Sequence, residues 1–240
     1  MKVSLRPCYI LHQRHYRETS LILEVFSRDN GKLSLVARGA KKRNASTRPL
    51  MQINQKLNIA WTIHGDMGTL TAIEAAGINY NLGGSRLIAA FYMNELLMRL
   101  LHKHEPHTEL FDTYEATLNK LQQPFNEDAI LRVFEIQLLE SLGYGLVLDH
   151  DVVTGKPIEQ DEYYYYQVEF GPSVMLPQDR EYIKISGATL AALANSSFHE
   201  QHQLQEAKQL TRRILQIYLG PKPLASRELF SAYLKYQVGS

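Results

Sequence analysis

The apolar period of this chain changes once, near residue 79, and that change confines the fold to a β-rich part followed by an α-rich one. Before it, Cys8 to Leu11, Leu21 to Phe26 and Leu33 to Ala37 are short apolar or alternating runs, and Asn30-Gly31 between the last two is a strong hairpin signal. Leu57, Ile59, Trp61 and Ile63 then alternate with Lys56, Asn58, Ala60, Thr62 and His64, the pattern of a half-buried strand. A turn at His64 to Gly68 leads into a fifth strand at Thr69 to Ala76. Five short strands are too few for a sandwich of about seven, so a small closed or partly closed barrel is the economical arrangement.

From Leu82-Gly83-Gly84-Ser85 onward the period is helical. Ser85 is the expected N-cap, and Ile88, Phe91, Tyr92, Leu96 and Leu100 make one apolar face. Further helices are expected at about 108–122, 127–142 closed by Gly143, 187–195, 203–219 closed by Gly220-Pro221, and 227–237 capped by Ser226. Between about 145 and 184 the helical pattern lapses, and Tyr163 to Phe170 reads as a strand among Pro157, Gly171, Pro172 and Pro177. The expected class is α+β: a barrel domain over 1–80, then a mainly helical domain over 81–240 carrying a small non-helical insertion.

Charge is distributed unevenly along this plan. The first 48 residues hold eleven Lys and Arg against Glu18, Glu24 and Asp29, while the remaining 192 hold fifteen against twenty-two acids. A formal net charge of +1 therefore hides a basic front half, and such an asymmetry implies an anionic polymer as partner. A membrane fits poorly, since no segment approaches the roughly 18 uninterrupted apolar residues of a spanning helix. The single Cys8 excludes an internal disulfide and a thiolate zinc cluster, and Met1 to Arg6 lacks an apolar secretion region, so a cytoplasmic setting is expected.

The densest cations lie in Arg38-Gly39-Ala40-Lys41-Lys42-Arg43-Asn44-Ala45-Ser46-Thr47-Arg48, leaving the third strand. Lys and Arg beside phosphates release condensed counterions, and Asn44, Ser46, Thr47 and loop amides can donate to phosphate oxygens without reading sequence. Arg14 and Arg17 sit at the first hairpin, so two basic turns can converge on one face, with Tyr9, Tyr16 or Trp61 available to stack on bases. The bland alternative is a solvated basic loop.

Other constellations carry less. His102 and His104, two apart on a helix, would face different ways, and with His107 they read as solvated rather than metal-binding. Gly83-Gly84 lacks the Lys and spacing of a nucleotide loop, and the Tyr163–Tyr166 run alternates between faces. No nucleophile elbow or HExxH helix is present, so no catalysis and no cofactor are expected.

The order of motifs resembles the RecO family of bacterial recombination mediators over nearly the whole chain. The similarity lies in Arg17-Glu18-Thr19-Ser20-Leu21 to Val25-Phe26, Gly31 and Val36-Ala37-Arg38-Gly39-Ala40-Lys41-Lys42-Arg43. In the helical part it lies in Asn94-Glu95-Leu96-Leu97, Phe134-Glu135, Leu138-Leu139, Leu142-Gly143-Tyr144-Gly145, and Tyr218-Leu219-Gly220 through Lys222-Pro223-Leu224 to Ser226-Arg227-Glu228-Leu229-Phe230.

The resemblance implies an N-terminal OB-fold barrel and a helical domain that act without cleaving a bond. It implies binding of single- and double-stranded DNA, annealing of complementary strands, and work with RecR to load RecA onto DNA coated by single-strand-binding protein, in the cytoplasm and nucleoid. By position, the DNA-contacting surface falls on Arg14, Arg17, Arg38, Lys41, Lys42, Arg43 and Arg48. Recognition of the acidic, apolar tail of single-strand-binding protein is expected at Arg132 and Leu131, with Tyr92, Leu96 and Leu100 as groove walls. Many relatives carry a four-cysteine zinc site in the insertion. Here the first pair's positions are Asp151 and Thr154, so no structural zinc is expected. The competing readings are a protein-interaction adaptor with an incidental basic loop, and an RNA-binding or annealing module.

Overall fold

A computed structural model describes residues 2–41, 47–64, 67–178 and 181–238. It divides into two compact units, residues 1–123 with 223–240 and residues 124–222. The first three helices of the α-rich part therefore do not travel together: two stay with the barrel, as does the last helix of the chain.

In the first unit, β1 (Lys2–Tyr16), β2 (Ser20–Ser27), β3 (Gly31–Ala37), β4 (Gln55–His64) and β5 (Met67–Asn79) close a barrel in the order β1-β2-β3-β5-β4. Neighbours are antiparallel except β3 and β5, which meet in parallel at Leu35–Gly68 and Val36–Thr69. This is the strand order of an OB-fold. The alternation expected on β4 points Leu57, Ile59 and Trp61 inward, where they pack with Cys8, Leu23 and Leu35. Each such aliphatic side chain removed from water contributes about 1.5–3 kcal/mol.

Two backbone features set the geometry of the barrel. The β2–β3 turn is Arg28–Asn30, and Gly31 follows it as the first paired residue, opposite Ser27, with φ +67. A Cβ there would lie 2.0 Å from the Glu105 carbonyl oxygen, so both conformation and packing require glycine. In β1, Ile10 pairs with Val25 and His12 with Glu24, which leaves Leu11 as a bulged extra residue. Cys8 and Ile10 point into the core before the bulge, and after it the same side of the strand is taken by Gln13 and His15, opposite Leu23 and Leu21 but exposed to solvent. Arg14 and Tyr16 are thereby turned outward.

Helices α1 (Gly84–Leu100) and α2 (Thr108–Leu121) cover part of the barrel's outside. Tyr9 lies 5.3 Å from Phe111 and, edge-on, 5.0 Å from Tyr114, and Phe26 lies 5.4 Å from Phe111. Gly83, not Ser85, is the N-cap of α1. His102 and His104 follow the end of α1 rather than riding on it, and no group of three metal-ligating side chains occurs among the described residues. The last helix of the unit, α6 (Ala225–Val238), packs on α1. Its start is not capped by Ser226. Instead the Glu95 carboxylate accepts from the Ala225 N–H at 2.9 Å, the Ser226 N–H at 2.9 Å and the Ser226 hydroxyl at 2.7 Å. None of the described helices is long and apolar enough to cross a membrane.

The second unit packs α3 (Glu127–Ser141), α4 (Gly187–Ala194) and α5 (Gln201–Leu219) beside a small sheet, β6 (Tyr163–Gln167) between β7 (Gly171–Ser173) and β8 (Ile183–Ser186). Tyr164 and Tyr166 are buried whereas Tyr163 is exposed, as alternation on a strand requires. The loop before β6 is organised by Asp151, which is 2% exposed. Its Oδ1 accepts from the N–H of Val153 at 2.8 Å and of Thr154 at 2.9 Å. Its Oδ2 accepts from the Val174 N–H at 2.8 Å and the Ser173 hydroxyl at 3.3 Å. The carboxylate thereby ties the turn at Val153 and Thr154 to Ser173 of β7 and to Val174 after it.

Candidate nucleic-acid interface

The cations of the barrel part into two groups. On the side that meets α1 and α2, the cations are engaged: Arg28 donates two bonds to Asp112 at 2.9 and 2.7 Å, and Lys56 reaches both Glu115 oxygens at 2.7 and 2.8 Å. The Lys32 ammonium donates to the Met98 carbonyl at 2.6 Å, and Arg6 meets Asp29 at 3.4 Å. Hydrogen bonding to Arg28 holds the Asp112 carboxyl below its ordinary range, and burial lowers the Lys32 pKa.

Arg14, Arg17, Arg38, Lys41 and Arg48 form no ion pair with a carboxylate among the described residues. All are exposed except Lys41, which is half-buried. The register explains how the hairpins bring them together. Arg14 faces Ile22, which faces Val36, and Tyr16 faces Ser20, so Arg38, two residues beyond Val36, continues the same outer face. With strands about 4.8 Å apart and residues about 3.3 Å apart, the Cα atoms of Arg14 and Arg38 lie within about 12 Å. The β1–β2 turn also touches the segment after β3, because the Lys41 N–H donates to the Thr19 carbonyl at 3.0 Å.

Between these elements lies an open groove of about 800 Å³, lined among others by Tyr16, Arg17, Glu18, Val36 and Arg38. Arg17 has φ +51, a left-handed conformation uncommon for a residue with a side chain, and its guanidinium carbon sits 5.1 Å over the Tyr16 ring. Glu18 and Tyr16 gain their place from the bulge at Leu11, a feature that periodicity does not announce.

Other candidates fall elsewhere. Lys42 and Arg43 lie outside the described residues, as do Asn44, Ala45 and Ser46. Arg48 starts a short 3-10 turn, Arg48–Leu50, beyond the segment that leaves β3. Tyr9 and Trp61 are not available for stacking: Trp61 points into the barrel and Tyr9 is sealed against α2, both fully buried. Cys8 is likewise inside, and burial pushes its thiol up to about 12, so it carries no thiolate chemistry.

Of the expected tail-peptide residues, Arg132 and Leu131 lie on α3 in the second unit, and Tyr92, Leu96 and Leu100 on α1 in the first. Arg132 is 4% exposed and donates to Glu135 at 2.5 Å, while its Nε has no partner. Leu96 is fully buried, and Leu131, Tyr92 and Leu100 are half-buried.

Comparison with known proteins agrees with this architecture. Residues 1–79 match the family model described as recombination protein O N terminal, and residues 83–228 that described as recombination protein O C terminal. The DNA repair protein RecO of Nitrosococcus oceani is 45% identical over 229 residues, covering 95% of this chain and 93% of its own. Those of Methylococcus capsulatus and Coxiella burnetii are 39% and 40% identical, each over 95% of this chain and over 93% and 98% of their own lengths. A five-stranded barrel continued by helices, with the two family models matching residues 1–79 and 83–228, places the chain in the RecO family of DNA repair and recombination proteins.

Proposed function

We propose that this protein is a recombination mediator in DNA repair that grips nucleic-acid backbone on the barrel and catalyses no bond cleavage. In this reading it binds single- and double-stranded DNA, anneals complementary strands, and with RecR helps load RecA onto DNA coated by single-strand-binding protein. The observation that carries it is the division of the cations: those on the helix side are neutralised within the fold, whereas Arg14, Arg17, Arg38 and Lys41 share an exposed face without carboxylate partners among the described residues. Cations left unpaired at about 10 Å spacing repel one another, a cost that a phosphate backbone removes together with its condensed counterions. Lys42, Arg43 and Arg48 extend the same basic stretch in sequence.

The test is fluorescence anisotropy with labelled single-stranded DNA across a range of salt. Arg14→Ala with Arg38→Ala weakens binding and flattens the slope of log K against log salt by about 0.7 per lost contact. An unchanged slope removes this face as the DNA contact and favours the adaptor reading. A parallel titration with RNA of the same sequence separates a DNA mediator from an RNA-annealing module.

Recognition of the tail of single-strand-binding protein belongs to the same proposal. Arg132 is spent on Glu135, so an incoming terminal carboxylate would take that carboxylate's place. Arg132→Ala then abolishes tail-peptide binding in a pull-down, and unaltered capture excludes Arg132.

A further inference from the structure

We propose that the groove at the β1–β2 turn seats one unstacked nucleobase of single-stranded DNA, with Tyr16 and the Arg17 guanidinium as the stacking surface and Glu18 as acceptor for the base's amino edge. The inference rests on the backbone-binding reading above and adds what lies inward of the phosphates.

Four observations converge on it. The barrel strands carry four aromatic side chains, Tyr9, Tyr16, Phe26 and Trp61, and three of them are completely buried. Tyr16 alone is accessible, and the bulge at Leu11 turns it to the same face as Arg14 and Arg38. Stacking on an aromatic ring or on a guanidinium plane is how a splayed base is held without regard to sequence. The Arg17 guanidinium carbon lies 5.1 Å over the Tyr16 ring, at a residue whose backbone is left-handed, so cation and ring stand together at the groove with no ligand bound.

The groove's about 800 Å³ lies within the range of pockets that take small organic groups. Its charge pattern then decides which part of a nucleotide enters. Glu18 lines the groove together with Arg17 and Arg38, and a carboxylate repels phosphate while accepting from an exocyclic amino group, cytosine N4 above all. Arg38 within the lining, Arg14 on the outer face and Lys41 in the adjoining turn supply the cations for the flanking phosphates. Base inward and phosphate outward satisfies both signs. In a duplex that amino edge is paired and stacked, so the seat takes a single strand.

The test uses the full chain and three labelled oligonucleotides of equal length, oligo-dC, oligo-dT and an abasic strand with the same phosphates, at one fixed salt concentration and then across salt. Tyr16→Ala should weaken oligo-dC binding by roughly tenfold, leave the salt slope unaltered, and leave abasic binding as it was. Glu18→Gln should lower affinity for oligo-dC relative to oligo-dT, which offers no amino group. Arg38→Ala should weaken all three and flatten the slope. If Tyr16→Ala lowers oligo-dC and abasic binding equally, or lowers neither while Arg38→Ala still acts, the base seat is wrong and the backbone reading stands. If Arg38→Ala and Tyr16→Ala are both without effect, both readings fall. Circular dichroism and thermal unfolding of Tyr16→Phe, which keeps the ring and should keep binding, separate loss of stacking from loss of the hairpin.

Discussion

Removing the Asp151 carboxylate should open the insertion locally without dissolving the barrel. In Asp151→Ala, three amide N–H groups at 2.8 to 2.9 Å and one hydroxyl at 3.3 Å lose their acceptor. Hydrogen bonds to an ionised group are worth about 1.5–3 kcal/mol each, which over four would sum to as much as about 12 kcal/mol. That sum overcounts, because Val153, Thr154 and Val174 are exposed and their amides regain water once the carboxylate is gone. About 1 kcal/mol per amide is the better figure, or roughly 3 kcal/mol in all, a factor of about 100 in the opening equilibrium. Native-state hydrogen exchange reads this directly: the three amides should exchange about 100-fold faster in Asp151→Ala, with the barrel amides unaltered. Asp151→Asn should lose about half as much, since one oxygen still accepts while the new NH2 group faces a donor. Protection within threefold of the wild type in both variants would show that the turns are held by something other than this carboxylate.

Gly31→Ala should destabilise the first unit by about 2–4 kcal/mol, from a left-handed conformation denied to Ala and a methyl driven into the Glu105 carbonyl; the urea midpoint checks it. Glu95→Ala should loosen the start of α6 by about 1–2 kcal/mol, visible as faster proteolysis near Ala225, whereas Glu95→Gln should retain part of the cap. Acid should act on the same carboxylates. Burial pushes Asp151, Glu95 and Glu206 up, the last accepting from the Ser186 N–H and the Ser186 and Thr189 hydroxyls, but the hydrogen-bond donors outweigh it and leave all three below their ordinary values. The stability they contribute is complete above the unfolded carboxylate pKa of about 4 and is lost as pH falls through the lowered folded values. Urea midpoints should therefore show no change from these groups between pH 7 and 5 and a decline below 4 that Glu206→Gln with Asp151→Asn makes shallower.

Much of the fold was legible because buried strands and helices write their period openly. Leu57, Ile59 and Trp61 predict both β4 and its inward face, and Gly31 marks a turn because glycine adopts the left-handed conformation at least cost. The full length of β1 was not legible: His12 to Tyr16 lie mostly in solvent, so no apolar residue betrays a strand there. Nor could the sequence distinguish a spent cation from a free one. Arg28, Lys32 and Lys56 look like Arg14 and Arg38 in composition, and only partners more than fifty residues away, at Asp112, Met98 and Glu115, tell them apart. The same holds for Arg132, whose helix position suits a surface residue but whose guanidinium is folded onto Glu135. Stacking aromatics were misjudged for a related reason. Tyr9 is placed outward by alternation, yet α2, more than ninety residues on, covers it.

The extra residue at Leu11 gives β1 two phases, so that one strand fills the barrel with its first half and displays Arg14 and Tyr16 with its second. Because strand faces repeat every two positions, the bulge is a frame: deleting Leu11 only straightens the strand and keeps each side chain on its face, whereas losing the bulge by a one-residue slip of β1 against β2, with no residue removed, exchanges Arg14 and Tyr16 with Gln13 and His15 between the two faces. Composition would be preserved and the grip reversed.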